Sequence, residues 1–426
     1  MTTDAATAEA VEVTVRALAA GGDGVADLPD GRVVFVPRTA PGDRVVVTIE
    51  KSRARWARAS LLRIVEPSTG RVAAPCALYD RCGGCQLQHV PYDAQLEWKG
   101  RFVSDALERI GRLEAVPVPV VVPSPLTERY RSRMTFTLRR LRGGRVVAGM
   151  HGLDRPGHVV DVHGECLLPR EGVLRAWTDL RAAWGPGARR LPEGGRLRLT
   201  LRALDAGVEL FVEGGAREWR SGSSLLDDLP GLVAIWHRPS DEQEAVVVAG
   251  ASAPGGGDAF EQVNEEAAHP LRAHVISEVT RGAPPPARVI DAYCGAGQVG
   301  RAVATTGPVV VGIEVNASAV AAARAEAPEG FTVVHGAVEE QLAQLLPADV
   351  LVLNPPRSGL DAEIPELIRT DPPDRIVYVS CDPATLARDV ALLEDSFELG
   401  SVTCFDLFPH TAHVESVATL RRRRSS

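Results

Sequence analysis

Residues 376–379, Ile-Val-Tyr-Val, form an apolar run that stops abruptly at Ser380, Cys381, Asp382 and Pro383. The chain has only seven cysteines, and Cys381 stands where a buried strand would end. A thiolate there could add to an electron-poor carbon and make the neighbouring carbon nucleophilic. A base must then remove a proton before the thiolate can leave. The stretch "DLFPHTAHVESV" offers His410, His413 and Glu415, of which Glu415 is the candidate base. Their H-x-x-H-x-E spacing does not set ligands at i, i+4 on a clear helix, so a structural polar cluster is a better alternative than a metal site.

Two further motifs belong at the ends of strands. In "VIDAYCGAGQVG" a glycine-rich turn follows a strand and precedes a helix, with Glu314 at the end of the next strand. Such a turn lets backbone N–H groups approach a ligand, and the acid can hold ribose hydroxyls. Gly295, Gly297 and Gly300 fit G-x-G-x-x-G, which serves nicotinamide and S-adenosylmethionine sites alike. "VLVLNPPRSGL" puts Asn354 on a rigid tip, which in methyltransferases faces the atom being methylated. A nicotinamide dehydrogenase has no need of that tip. Carbon methylation of a pyrimidine would use all three motifs: C5 of uracil is a poor nucleophile until a thiolate adds at C6.

Cys76, Cys82 and Cys85 in "CALYDRCGGC", with distant Cys166, have the spacing of a metal or cluster site. Thiolates so placed suit zinc or a [4Fe-4S] cluster, and spacing does not choose between them. Cys294 and Cys404 read as packing residues. An odd number of cysteines in a long chain favours metal or catalytic thiols over disulfides.

Composition bounds the rest. At 426 residues, 45% hydrophobic and 24% charged, the chain is globular and long enough for several domains. No run approaches the ~20 apolar residues of a membrane span, and "MTTDAATAEA" lacks a signal-peptide pattern, so a cytoplasmic protein is expected. Net charge is −8, yet residues 129–145 carry seven arginines and no acid, and residues 44–71 are also basic. Local charge matters more than the sum for a phosphate-bearing partner. The terminal "RRRRSS" reads as a tail.

The elements that must hold these residues fall into three units. Residues 1–67 alternate apolar and polar positions in short strands, as in a small β-barrel. Residues 68–255 begin irregular and cysteine-bearing through about 100. They continue mostly as strands, with a helix near 172–184 and a Gly/Pro-rich linker at 252–257. Residues 256–426 alternate apolar strands with helices, which predicts an α/β, doubly wound parallel sheet. Asn316 is a plausible N-cap within it.

Together these motifs resemble the bacterial RNA uracil-5-methyltransferase family, from about residue 10 to 420. "NPPRSG", "IVYVSCDPATL", "FPHTAHVE" and "FEQVN" (residues 260–264) carry the resemblance. It implies a Rossmann-like class I methyltransferase domain, an N-terminal barrel of TRAM or OB type and a central, mostly β, RNA-binding domain. It implies Cys381 as nucleophile, Glu415 as base, and Gln262, Tyr293, Gln298, Glu314 and Asn354 around S-adenosylmethionine. Cys76, Cys82, Cys85 and Cys166 match the [4Fe-4S] ligands of the ribosomal branch, with zinc as the alternative. "ERYRSRMTF" looks like the RNA-contacting strand. The substrate implied is RNA, 23S ribosomal RNA ahead of transfer RNA, and the chain is expected to be a monomer. The family usually has Asp at the position of Asn354 and Asn at that of Asp382, a reciprocal swap that would keep the formal charge. A drifted RNA-binding paralogue and a nicotinamide-dependent oxidoreductase are the competing readings.

Overall fold

The computed structural model describes residues 10–153, 155–242, 244–250 and 262–423. The first nine residues, the expected linker at 252–257, Phe260, Glu261 and the last three residues lie outside that description.

Five strands, β1 (Ala10–Leu18), β2 (Gly24–Asp27), β3 (Val33–Val36), β4 (Arg44–Ser52) and β5 (Trp56–Glu66), close into a barrel in the order β1-β2-β3-β5-β4. Its core is the alternate residues Val13, Val15, Val34, Val36, Val45, Val47, Ala57 and Ala59, as the period-two pattern requires. The barrel and its period were expected; the short β2 was not.

Next come α1 (Tyr92–Arg109) and β6 (Val121–Val122). Sequence pattern alone reads this stretch as irregular through about residue 100. Its apolar stripe is sparse, and Phe102, Val103 and Leu107 emerge as a buried helical face only in the structure. The central sheet comprises β7 (Arg133–Arg140), β8 (Val146–Gly152), β9 (Arg155–Asp161), β10 (Arg196–Leu204), β11 (Gly207–Glu213), β12 (Leu232–Arg238) and β13 (Val246–Gly250), in the order β13-β12-β11-β10-β7-β8-β9. Helix α2 (Glu171–Ala183) covers it, with Trp177 stacked on Phe136 at 3.9 Å between ring centroids. A short α3 (Gly222–Asp227) packs on β12 and β13.

The last unit runs α4 (Glu265–Thr280), β14 (Arg288–Ala292), α5 (Gln298–Ala304), β15 (Val309–Glu314), α6 (Ala317–Ala325), β16 (Phe331–His335), α7 (Val338–Leu345), β17 (Val350–Leu353), α8 (Ile364–Thr370), β18 (Arg375–Ser380), α9 (Pro383–Leu392), β19 (Phe397–Phe405) and β20 (Glu415–Arg422). Its sheet order is β16-β15-β14-β17-β18-β20-β19-β6, with β14 to β18 parallel and β20 antiparallel to both neighbours. The run 376–379 serves both faces. Ile376 and Tyr378 enter one core and Val377 and Val379 the other, which is why the run is apolar without interruption.

Two sequence expectations change here. The segment 92–122, expected within 68–255, packs with the sheet of the last unit: β6 pairs with β19, and Val103 and Leu107 share a core with Tyr378 and Leu386. Arg421 and Arg422 belong to β20 and are not tail. Among the described residues no helix is long and apolar enough to cross a membrane.

Candidate active site

The chain leaves β14 for β15 and β16 on one side and returns to β17 on the other. The carboxyl ends of β14 and β17 therefore form a switch-point crevice, the place where such sheets bind ligands. Tyr293 leaves β14 with φ of 62° and starts the glycine turn. The turn is held from below by buried Asp291, whose Oδ2 accepts from Gly300 N at 3.0 Å. Burial pushes the Asp291 carboxyl up to about 7, a shift the Gly300 amide opposes. A Cβ on Gly300 would meet the ring of Phe331, from β16, at 2.5 Å, so glycine here lets α5 pack against that ring. In front of the turn, nothing lies within 4 Å of the Cβ position of Gly295, which leaves an open cradle.

Glu314, at the end of β15, accepts from Gly295 N at 2.9 Å and from Asn316 N at 2.7 Å. Asn316 caps α6, as expected. Asn354 follows β17, is exposed, and donates its backbone N–H to Ala292 O at 3.4 Å. Tyr293, Glu314 and Asn354 thus share one edge. Gln298 opens α5 and is exposed. Gln262 is placed only through its neighbours: Val263 O accepts from Ser132, and Asn264 caps α4.

Cys381 and Glu415 lie along the same edge. The β18–β20 ladder pairs Ser380 with Ser416, so one further step sets Cys381 beside Glu415. Glu415 is buried, and burial pushes its carboxyl up to about 7, while nearby Arg357 opposes the shift. Burial also raises the Cys381 thiol, the charge of Glu415 raises it further, and Arg357 opposes this by charge and a hydrogen bond. A thiol, a carboxyl poised near neutrality and a cation serving both form a constellation for nucleophilic and base chemistry. Sequence reading missed Arg357, although it follows the quoted Asn-Pro-Pro directly. Its loop is fixed over α9: Thr385 Oγ1 donates to Arg357 O at 3.1 Å, and buried Asp389 accepts from Leu360 N at 2.9 Å.

Asp382 does not reach across to Asn354 for its role. It caps α9, its Oδ1 accepting from Ala384 N at 2.9 Å and Thr385 N at 3.0 Å, with Pro383 in the first turn.

The loop before Glu415 is clamped from three sides. His410, with φ of 67°, donates its N–H to Gln95 of α1 at 2.9 Å, and its carbonyl accepts from Gln86 N and Leu87 N. Lys99 and Asp406 form a fully buried ion pair at 2.6 Å. Tyr130 donates to Pro409 O at 3.1 Å and Asn264 to Leu407 O at 3.1 Å. His413 is exposed and packs its ring near Phe408.

The four cysteines expected to hold a metal line one small cavity of about 20 Å³, walled by Leu78, Tyr79, Met150, Val162 and Leu168. Arg38, just after β3, donates to the carbonyls of Tyr79, Cys82 and Cys85, and Arg129 donates to that of Cys166. Gly84 N–H points at Cys82 Sγ, 3.4 Å away. Among the described residues, however, no group of three or more His, Cys, Asp or Glu could hold a metal ion as it stands. The cysteines share a cavity and do not yet form a ligand set.

Two arginines of the basic tract are anchored to backbone carbonyls, which fix their guanidinium groups and leave their charge. Arg140 donates to the carbonyls of Gly187, Ala188, Leu191, Pro192 and Gly194, and Arg139 to Gly157. Arg131 lies over the Phe408 ring at 5.7 Å, next to the loop that leads to Glu415.

The sheet order and the glycine cradle beside Glu314 are those of a class I S-adenosylmethionine-dependent methyltransferase. The profile of the tRNA (Uracil-5-)-methyltransferase family matches residues 339–423, and that of the TRAM domain matches 7–62. An "uncharacterized RNA methyltransferase" of Halalkalibacterium halodurans is 33% identical, covering 97% of both chains, and one of Gloeobacter violaceus is 35% identical with the same coverage. The structure also superimposes on Pyrococcus abyssi tRNA (uracil-54, C5)-methyltransferase in complex with S-adenosyl-L-homocysteine, with a TM-score of 0.72 and 25% identity over 96% of this chain and 99% of that one. The chain belongs to the S-adenosylmethionine-dependent RNA uracil-5-methyltransferase family. The nicotinamide oxidoreductase reading falls with that assignment.

Proposed function

We infer that the protein methylates C5 of a uridine in RNA through a covalent adduct between Cys381 and C6. The observation that carries this is the placement of Cys381 beside Glu415, on the same sheet edge as the glycine cradle. S-adenosylmethionine, when bound, supplies an electrophilic methyl group. Tyr293, Gln298, Glu314, Asn354 and Gln262 are the residues proposed to hold it, and the open face of Gly295 together with the paired acceptors of Glu314 fits its ribose.

The chain's own residues account for the remaining steps. Arg357 favours the thiolate of Cys381, whose sulfur bonds to C6 and shifts the ring's electron pair towards C5. Once C5 carries the methyl group, Glu415 takes the C5 proton. The freed electron pair re-forms the C5–C6 double bond and expels the thiolate. A carboxyl near 7 is matched to that transfer at neutral pH. Replacing Cys381 with Ala should abolish both methylation and covalent trapping on 5-fluorouridine RNA. A variant that still methylates would exclude the adduct, and a wild-type protein that binds RNA without methylating it would support the drifted paralogue.

The four cysteines around an apolar cavity support a [4Fe-4S] cluster held by Cys76, Cys82, Cys85 and Cys166, with zinc as the alternative. The division of labour follows the three units, with the barrel and central sheet proposed to grip RNA and the last unit to carry the chemistry, in a monomer of the cytoplasm. For the target, the sequence favours 23S ribosomal RNA partly through the barrel. The barrel does not separate the two targets, since the similarity to a tRNA enzyme covers 96% of this chain, barrel included. The cysteine quartet alone leans towards ribosomal RNA. Deleting the gene and mapping 5-methyluridine in both RNA classes decides between them.

A further inference from the structure

A cleft of about 1240 Å³ lies far from the switch-point crevice. Its lining includes Val350 and Arg375, which open β17 and β18, and Arg421 and Arg422, which close the antiparallel β20. It therefore occupies the opposite edge of the catalytic sheet. Strand β18 carries Arg375 at the cleft and leads into Cys381 at the reaction site, a separation of roughly 20 Å at about 3.3 Å per residue. The proposed chemistry makes no use of this edge. The terminal arginine run, expected to be a loose tail, helps to build it.

The cleft's charge is its main property. Arg281, Arg375, Arg421, Arg422 and Arg423 line it, against the carboxylates of Asp349, Asp374 and Glu398. Asp349 is turned inward, its Oδ2 accepting from Ala287 N at 2.7 Å and Arg288 N at 2.9 Å. Arg375 is held by the carbonyls of Val279 and Arg281, Arg422 by that of Pro372, and Arg423 by those of Glu394 and Phe397. A carbonyl fixes a guanidinium without cancelling its charge. In the 44–71 tract, by contrast, Arg44 meets Glu12 and Glu66, Arg58 meets Asp23 and Arg71 meets Asp43, so carboxylates offset three of its seven cations. Arg281 does pair with Glu278, but Arg421, Arg422 and Arg423 keep exposed faces. These cations are spread over several strand ends and do not converge on one point. That spacing suits a chain of phosphates better than a single small anion.

We propose that this cleft is a second RNA contact, which takes the sugar–phosphate backbone of the substrate at a distance from the target uridine and without reading its bases. The inference rests on the RNA methyltransferase reading. The chain's net charge is −8, so attraction to RNA has to come from such local patches. Only an RNA long enough to reach both edges of the sheet gains from the contact. The cleft would thus favour a large folded RNA over a short fragment that carries the same uridine.

Binding of the full-length enzyme to long poly(U) and to short oligo(U), each measured over a range of salt, tests the proposal. The double variant Arg421→Gln/Arg422→Gln should flatten the slope of log affinity against log salt on long poly(U) by about 1.4, or about 0.7 for each single-strand phosphate no longer neutralised. Oligo(U) should show no such change. An unaltered slope on the long RNA overturns the proposal, and so does an equal weakening on both lengths. Glu398→Gln covers the case in which the double variant fails to fold, because removing an exposed acid from the cleft should tighten long poly(U) and leave oligo(U) as it was. No gain there also overturns the proposal. Trapping of wild-type Cys381 on long 5-fluorouridine RNA reports separately on the reaction. Its failure removes the methyltransferase mechanism, whereas its success with unchanged salt slopes removes only the cleft.

Discussion

At the scale of single residues, the decisive arrangement is one cation between two groups that both bear negative charge when active. Burial raises Cys381, and the charge of Glu415 raises it further, so the two disfavour each other's ionisation. Arg357 opposes the rise in both. Removing the cation with Arg357→Gln should therefore move the rising limb of adduct formation to higher pH, and Arg357→Lys should restore part of the shift. Rates of trapping on 5-fluorouridine RNA across pH show this directly. Glu415→Gln should act in the opposite sense on the thiol, lowering the pH at which adducts form, while removing the base that resolves them. Adduct on ordinary uridine should then accumulate. In the wild type, methylation should fall as pH drops through about 7, where Glu415 takes up a proton. The exchange of Asn354 and Asp382 relative to the family pattern is also a question at this scale. If the two are reciprocal, Asn354→Asp alone lowers activity and the double change with Asp382→Asn recovers it, whereas equal, additive losses would sink that idea.

At the scale of elements, position is enforced by caps and buried polar ties. Asp382 begins α9 immediately after the proposed nucleophile, so the cap also fixes the thiol's exit from β18. Asn caps as well as Asp, so Asp382→Asn should change stability little, whereas Asp382→Ala should cost ~1 kcal/mol in denaturant titration. The buried Lys99–Asp406 pair ties α1 to the loop that leads into β20. Lys99→Met would leave Asp406 buried without its partner and should destabilise the protein by about 3–5 kcal/mol. A loss under ~1 kcal/mol would show that the loop relaxes to water and that α1 is not what holds it. The glycine turn was legible in the sequence because a turn of that chemistry needs glycines at fixed offsets. The α1 clamp was not, because Gln95 and Lys99 find their partners some 300 residues away.

At the scale of the whole molecule, three sheets bring distant segments to shared sites. The cysteine cavity draws Cys166 towards Cys76, Cys82 and Cys85, and the barrel's Arg38 fixes the loop that carries three of them. That loop in turn bonds to His410 through Gln86 and Leu87. If the cavity holds a cluster, anaerobically purified protein should be brown, with iron and acid-labile sulfide near four per chain. Cys85→Ser should lose most of both. Stoichiometric zinc without colour would favour the alternative metal, and neither metal would reject the site.

The sequence alone determined the alternation of strands and helices in the last unit, the glycine turn, the thiol at a strand end and the cysteine spacing. Each depends on local rules: period-two and helical patterns, turn chemistry and caps. It could not supply the antiparallel insertion of β20 beside β18, which brings Glu415 to Cys381 and carries Arg421 and Arg422 to the far edge. Nor could it show that carbonyls of residues 187–194 hold Arg140 in place while the terminal arginines line a cleft. Which charges remain available, and which residues meet, depends on contacts between segments far apart in the chain, and no local pattern encodes those.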